Sequence, residues 1–164
     1  MRLREGAPMH SDEGIVELLN EVLTAELTAV NQYFLDAKML DNWGYRRLAG
    51  HYRSESIGEM KDADRLIERL LYLEGHPNLQ RLGTLRTGET PAEKLALALE
   101  LEREAIERLN RGMAQCVGHG DNGTRDLLED ILQGEEGHAE WLETQLSLID
   151  RLGDAHYLAQ QVHD

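Results

Sequence analysis

Apolar residues recur every three or four positions through most of this chain, and the rhythm breaks at a few defined places. Ile15, Leu19, Val22, Val30, Tyr33, Ala37 and Leu40 form the first stripe, the spacing of one face of an α-helix. Ser11 is placed to cap that helix, with Asp12 and Glu13 in a first turn where the helix dipole favours acids. The helix is expected to stop near Asn42-Trp43-Gly44. A second stripe of Leu48, Tyr52, Leu66, Leu70 and Leu73 predicts a helix from about Tyr45 to Glu74, closed by Gly75 and Pro77. Residues 76–90 hold Gly83 and Gly88 and show no period. Thr90-Pro91-Ala92-Glu93 reads as a capping box with proline at the first helical position. It opens a third helix, marked by Leu95, Leu99, Ile106, Leu109 and Met113, which breaks at Gly118-His119-Gly120. The fourth begins near residues 122–124, carries Leu128, Ile131, Leu142 and Ile149, and ends at Gly153. Residues 154–162 are expected to form a short extra helix, and residues 1–10, which lack periodicity, a loose arm.

Link lengths turn these elements into an architecture. Each long helix spans about 40–45 Å at 1.5 Å per residue. A link of roughly 15 residues is long for a turn between neighbouring helices. It is long enough to run back along a bundle and start the next helix at the original end. Short, long and short links therefore predict an all-α four-helix bundle with one long crossover and a short fifth C-terminal helix, filling residues 11–164 as one domain. Composition agrees. Of 164 residues, only 3 are Pro and 1 is Phe, and Leu, Glu, Ala and Arg are good helix formers. The formal net charge of −14 argues against nucleic acid, which would call for a basic stripe. It suits the attraction of cations instead. The single Cys116 excludes an internal disulfide framework. No apolar run reaches about 18 residues, so no membrane span is expected, and the N-terminus lacks the apolar segment of a signal peptide. The reading is of a cytoplasmic protein.

The stripes are not wholly apolar. Glu26 lies in the first, Glu55, Glu59 and Asp62 in the second, Glu102 in the third, and Glu135 and His138 in the fourth. The pattern occurs twice: Glu26 precedes Glu59 by 33 positions, and Glu102 precedes Glu135 by the same 33. Each later Glu heads a Glu-x-x-(Asp/His) motif, which puts both side chains on one helix face. Burying an unpartnered carboxylate costs several kcal/mol, and five together would repel one another. No matching set of Lys or Arg stands on those faces. Two divalent cations would supply the missing charge, and mixed oxygen and nitrogen ligands suit iron or manganese, with zinc also accommodated. The equal offsets predict a dinuclear site with Glu59 and Glu135 bridging. Glu26 with Asp62, and Glu102 with His138, are then terminal ligands. This carboxylate bundle site is a known arrangement of di-iron proteins.

Several motifs carry a closer likeness. Asn31-Gln32-Tyr33-Phe34, Asn42-Trp43-Gly44, Glu59-Met60-Lys61, Leu73-Glu74-Gly75, Pro77-Asn78-Leu79-Gln80, and Glu135-Glu136-Gly137-His138 with Trp141-Leu142-Glu143 resemble bacterioferritin. The resemblance covers about residues 9–160. It implies a ferritin-like bundle, a shell of 24 subunits, and storage of iron oxidised from Fe(II) by oxygen or peroxide at a dinuclear iron site. It also implies haem b held between two subunits by one Met from each, matched here by Met60, and a ferredoxin-type reductase partner for iron release. Met60 is one step from Glu59 and so points about 100° away from the inner stripe. Tyr33 stands near enough in sequence to Glu26 to serve the site, or to be an ordinary core residue. His10, His51, His76, His119, His156 and His163 lie at ends, links or outside the stripes and are assigned no chemistry.

One position departs from the family pattern. Bacterioferritins carry Glu-x-x-His in both halves, whereas here the first ends in Asp62. An anion in place of a neutral nitrogen ligand favours the ferric state, and Asp is short. Two readings follow: a subunit that oxidises and stores iron, or a haem-carrying subunit of weak ferroxidase activity that co-assembles with a competent partner, in a homo- or hetero-oligomer respectively. A stand-alone di-iron peroxidase lacks its Cys-rich electron-accepting module, and a DNA-protecting mini-ferritin lacks a basic tail.

Overall fold

The computed structural model describes residues 12–164. The N-terminal arm and the expected cap Ser11 lie outside the described residues. Asp12 caps the first helix: its carboxylate accepts the backbone N–H groups of Gly14 at 3.0 Å and Ile15 at 3.3 Å. The helices are α1 (Glu13–Asn42), α2 (Arg46–Tyr72), α3 (Pro91–Gly118), α4 (Asn122–Leu152) and α5 (Asp154–Ala159). The last is shorter than the stretch 154–162 expected. Thr90 Oγ1 accepts the N–H of Glu93 at 3.1 Å, but the Glu93 carboxylate takes the N–H of Glu89 at 2.8 Å. Only half of the expected capping box is therefore made. Among the described residues, no helix is long and apolar enough to cross a membrane.

α1 packs on α2 and α3 on α4, with α1 also touching α3 and α2 touching α4. The bundle thus presents an α1/α3 groove on one side and an α2/α4 groove on the opposite side. The crossover is laced onto α1 step by step. The N–H of Asn78 donates to Asn20 Oδ1 at 2.8 Å, that of Gly83 to Thr28 Oγ1 at 2.8 Å, and that of Arg86 to Gln32 Oε1 at 3.1 Å. Polar side chains at intervals on α1 thereby satisfy a strap that has no regular structure of its own. The strap ends at a buried ion pair. Lys94 Nζ donates to Asp36 Oδ1 at 2.9 Å and to Thr87 Oγ1 at 2.8 Å, with both charged side chains fully buried. Lys94 turns inward, but its partner is Asp36, so among the described residues the acids of the stripes still have no matching set of Lys or Arg.

The core falls into two apolar halves. One gathers Ile15, Leu19, Leu23, Leu66, Leu70, Leu109, Leu128 and Ile131, with Cys116 buried among them. The other gathers Ala29, Tyr33, Leu40, Leu48, Tyr52, Leu95, Leu99, Leu142 and Tyr157. Along each helix the change from one half to the other occurs around the inward-facing acid: Leu23 and Ala29 flank Glu26, and Leu132 and Ala139 flank Glu135. The acids form a polar layer across a bundle that is hydrophobic above and below.

Candidate metal centre

Glu26, Glu59, Glu102, Glu135 and His138 are each between 1% and 5% exposed. Carboxylate oxygens of Glu26, Glu59, Asp62 and Glu135 all come within 4.8 Å of one another. Glu102 and His138 meet beside them, with Glu102 Oε1 2.9 Å from His138 Nδ1. The same oxygen accepts the Tyr33 hydroxyl. Tyr33 therefore holds Glu102 in place, and burial with the surrounding acids pushes its own phenol well above the usual range.

The layer is electrostatically frustrated. Oε2 atoms of Glu26, Glu59 and Glu102 are buried without a hydrogen-bond partner. Burial first, and then the neighbouring carboxylates, raise Glu26, Glu59 and Glu135 well above the ordinary carboxylate range. Glu102 is pushed up to about 7, mainly by burial. A proton can relieve one acid of such a group, but orphaned lone pairs on several acids converging within a few ångströms are the donor set that a hard or borderline divalent cation needs. The residues present fit two such ions.

Asp62 differs from the rest. It is half-buried, not sealed in the interior, and Nη1 of Arg65 stands 4.0 Å from its Oδ1. Burial still outweighs that positive neighbour and raises its carboxyl to about 6. Arg65 in turn is bound to Asp130 at 2.6 Å, so Asp62 has only a share of its charge.

A cavity of about 310 Å³ opens from the α1/α3 groove, between Gly83 and Arg86 of the crossover and Ala105 of α3. Glu26, Glu59, Glu102 and Glu135 line it, so solutes reach the acids from that side.

Sequence reasoning missed His51. Its Nε2 lies 3.0 Å from Nε2 of His138, and its ring stacks on Trp141 with centroids 3.4 Å apart. Burial, and the repulsion from His138, hold it neutral, down to about 3. Helical spacing could have found it, because His51, Glu55, Glu59 and Asp62 follow one another at steps of four, four and three along α2. His51 lies at the edge of the apolar stripe.

Met60 is 57% exposed on the outside of α2, one turn from the exposed Ile57. It faces away from the acids.

The ferritin-like domain model matches residues 16–152 of the chain. Bacterioferritin BfrA of Mycobacterium tuberculosis (strain ATCC 25618 / H37Rv) is 47% identical over 154 residues, which span 94% of this chain and 97% of that protein. Bacterioferritin of Streptomyces coelicolor is 46% identical over 151 residues, 92% of this chain and 90% of its own. Bacterioferritin of Rhodobacter capsulatus is 43% identical over 145 residues, 88% and 90% respectively.

Proposed function

Because this chain belongs to the bacterioferritin family, we propose that it binds Fe(II) at the acid layer, supports its oxidation by oxygen or peroxide, and passes Fe(III) to a mineral store. The observation that carries this reading is the set of buried carboxylate oxygens without partners. Glu26 with Asp62 would hold one ion and Glu102 with His138 the other, and Glu59 and Glu135 would be shared between the two. Fe(II) is the substrate, and each ion gives up one electron to the oxidant. The protein's part is positional and electrostatic. Carboxylates stabilise the added positive charge of Fe(III), while Tyr33 orients Glu102 through its hydroxyl. Protons displaced from the raised carboxyls leave as metal binds.

The purified chain is expected to bind about two Fe(II) per subunit and to consume oxidant as it does so. Normal uptake after Glu26→Ala and Glu102→Ala together would contradict the reading.

A second reading is favoured by one observation, the partial exposure of Asp62 and its approach to Arg65. A ligand drawn toward an Arg holds metal less firmly, and the chain would then act chiefly as a haem-carrying subunit co-assembled with a ferroxidase-competent one. Asp62→His separates the two. Oxidation far faster than the parent's favours the second reading; similar rates favour the first.

Haem b is proposed between two subunits, where the Met60 thioether of each would hold it. The side chain fits such a group, being an unpartnered thioether on an outer helix face where a two-fold axis can bring it to its own copy. Bound there, haem would supply electron transfer for iron release, with a ferredoxin-type reductase as donor.

A further inference from the structure

We propose a further divalent-cation site, formed by His51, Glu55 and His138 on the α2/α4 side of the bundle. It lies beyond the dinuclear centre and rests on that reading only in sharing His138. Ligand atoms of the three residues come within 4.8 Å of one another. The two imidazoles face each other through Nε2 at 3.0 Å. Two ligands about 2.1 Å from one ion, roughly at right angles, stand about 3.0 Å apart. The Glu55 carboxylate approaches both rings, 3.9 Å from Nε2 of His51 and 3.5 Å from Nδ1 of His138. Two imidazoles and one carboxylate suit Fe(II), Co(II) or Zn(II), and they leave further coordination positions open.

Independent features of the structure support the site. Trp141 lies flat on His51, which fixes the ring with its Nε2 turned toward His138. A cavity of about 530 Å³ between α2, α4 and α5 ends on His51 and Trp141. It opens in the groove opposite the one that leads to Glu26 and Glu135, so an ion can arrive or leave without crossing the crossover strap. His138 joins the two sites: Nδ1 faces Glu102 and Nε2 faces His51. An ion held by His51 and Glu55 is one imidazole away from the dinuclear centre and competes with it for that imidazole. The site is therefore a way-station between the acid layer and the second groove.

Co(II) titration of a Glu26→Ala/Glu135→Ala variant tests the inference, because the acid layer is disabled while His51, Glu55 and His138 remain. One Co(II) per subunit is expected, with affinity falling at least tenfold when His51→Ala or Glu55→Gln is added. Absence of binding, or affinity indifferent to both additions, overturns the proposal. Crystals of the unaltered chain soaked in Zn(II) give a second measurement that does not depend on any variant folding. An anomalous peak between His51 and His138 is expected; peaks confined to Glu26, Glu59 and Glu135 would refute it. Failure of the ferroxidase reading reads out differently, as loss of Fe(II) oxidation by the parent with Co(II) binding at His51 retained.

Discussion

At the scale of single residues, the proposed chemistry rests on acids buried at positions where apolar side chains would be expected. Their protonation sets a pH dependence with a definite sign. Glu102 is raised to about 7, and Glu26, Glu59 and Glu135 are raised well above the carboxylate range. The folded protein then binds more protons than the unfolded chain, so stability falls as pH rises through the folded values. His51 and His138 are lowered by burial, and they act oppositely, but only below their unfolded value near 6.5. Between about pH 6.5 and 8 the acids act alone. Metal-free protein is expected to lose thermal stability over that interval, and saturating Zn(II) to restore it; calorimetry across pH with and without the metal checks both. Tyr33→Phe removes the hydroxyl that holds Glu102. Supporting partners of this kind are worth about 10–100-fold in metal affinity or activity, so Fe(II) oxidation should slow by that order while the far-ultraviolet circular dichroism stays unchanged. The acids of the layer were legible because they interrupt a regular apolar rhythm. His51 was not, because a histidine at the margin of a stripe looks like any surface histidine until Trp141 and His138 close around it.

At the scale of the elements, the four long helices were readable from periodicity, capping residues and glycines, and their observed limits fall within a few residues of those expected. What periodicity could not express is how the crossover is held. Asp36 and Lys94 are separated by 58 positions and meet only when α3 packs on α1 at the end of the strap. Breaking a buried pair leaves an uncompensated charge, at a cost of about 3–5 kcal/mol. Lys94→Met should lower the unfolding free energy by about that much, measured by urea denaturation, and Asp36→Leu combined with Lys94→Met should recover most of the loss. If the double variant is as unstable as the single, the pair's role lies in packing and not in charge. At the N-terminus of α1, Asp12 accepts two backbone N–H groups. Asp12→Ala is expected to destabilise the protein through the lost cap, read in the same denaturation experiment.

At the scale of the whole molecule, the outward faces complete the reading. The chain carries a formal net charge of −14, which favours concentration of cations at any surface or cavity it encloses. Met60 and Ile57 expose apolar side chains on α2, a face better suited to a partner helix than to water. In the proposed assembly of 24 subunits, Met60→Leu should abolish haem binding, seen as loss of the bis-thioether haem spectrum, and leave Fe(II) oxidation at the parent's rate. Sedimentation of the parent should show a closed shell; a stable monomer would remove the basis for haem between subunits. The proposed split of functions follows from the helix wheel. Adjacent residues Glu59 and Met60 point about 100° apart, so on this proposal one helix would serve the interior centre and the outer face at once.

Helix identity and the inward direction of the acids were determined by the sequence alone, because each depends on residues three or four positions apart, which the local geometry of one helix fixes; bundle connectivity followed from the lengths of the links. The tertiary structure decided everything that depends on distance across helices. It brought His51 to His138, gave Lys94 to Asp36, left Asp62 half in water beside Arg65, and opened the two grooves on opposite sides. Those outcomes depend on how far apart and at what rotation the helices pack, which is set by the summed shape of two apolar cores and is written in no local pattern.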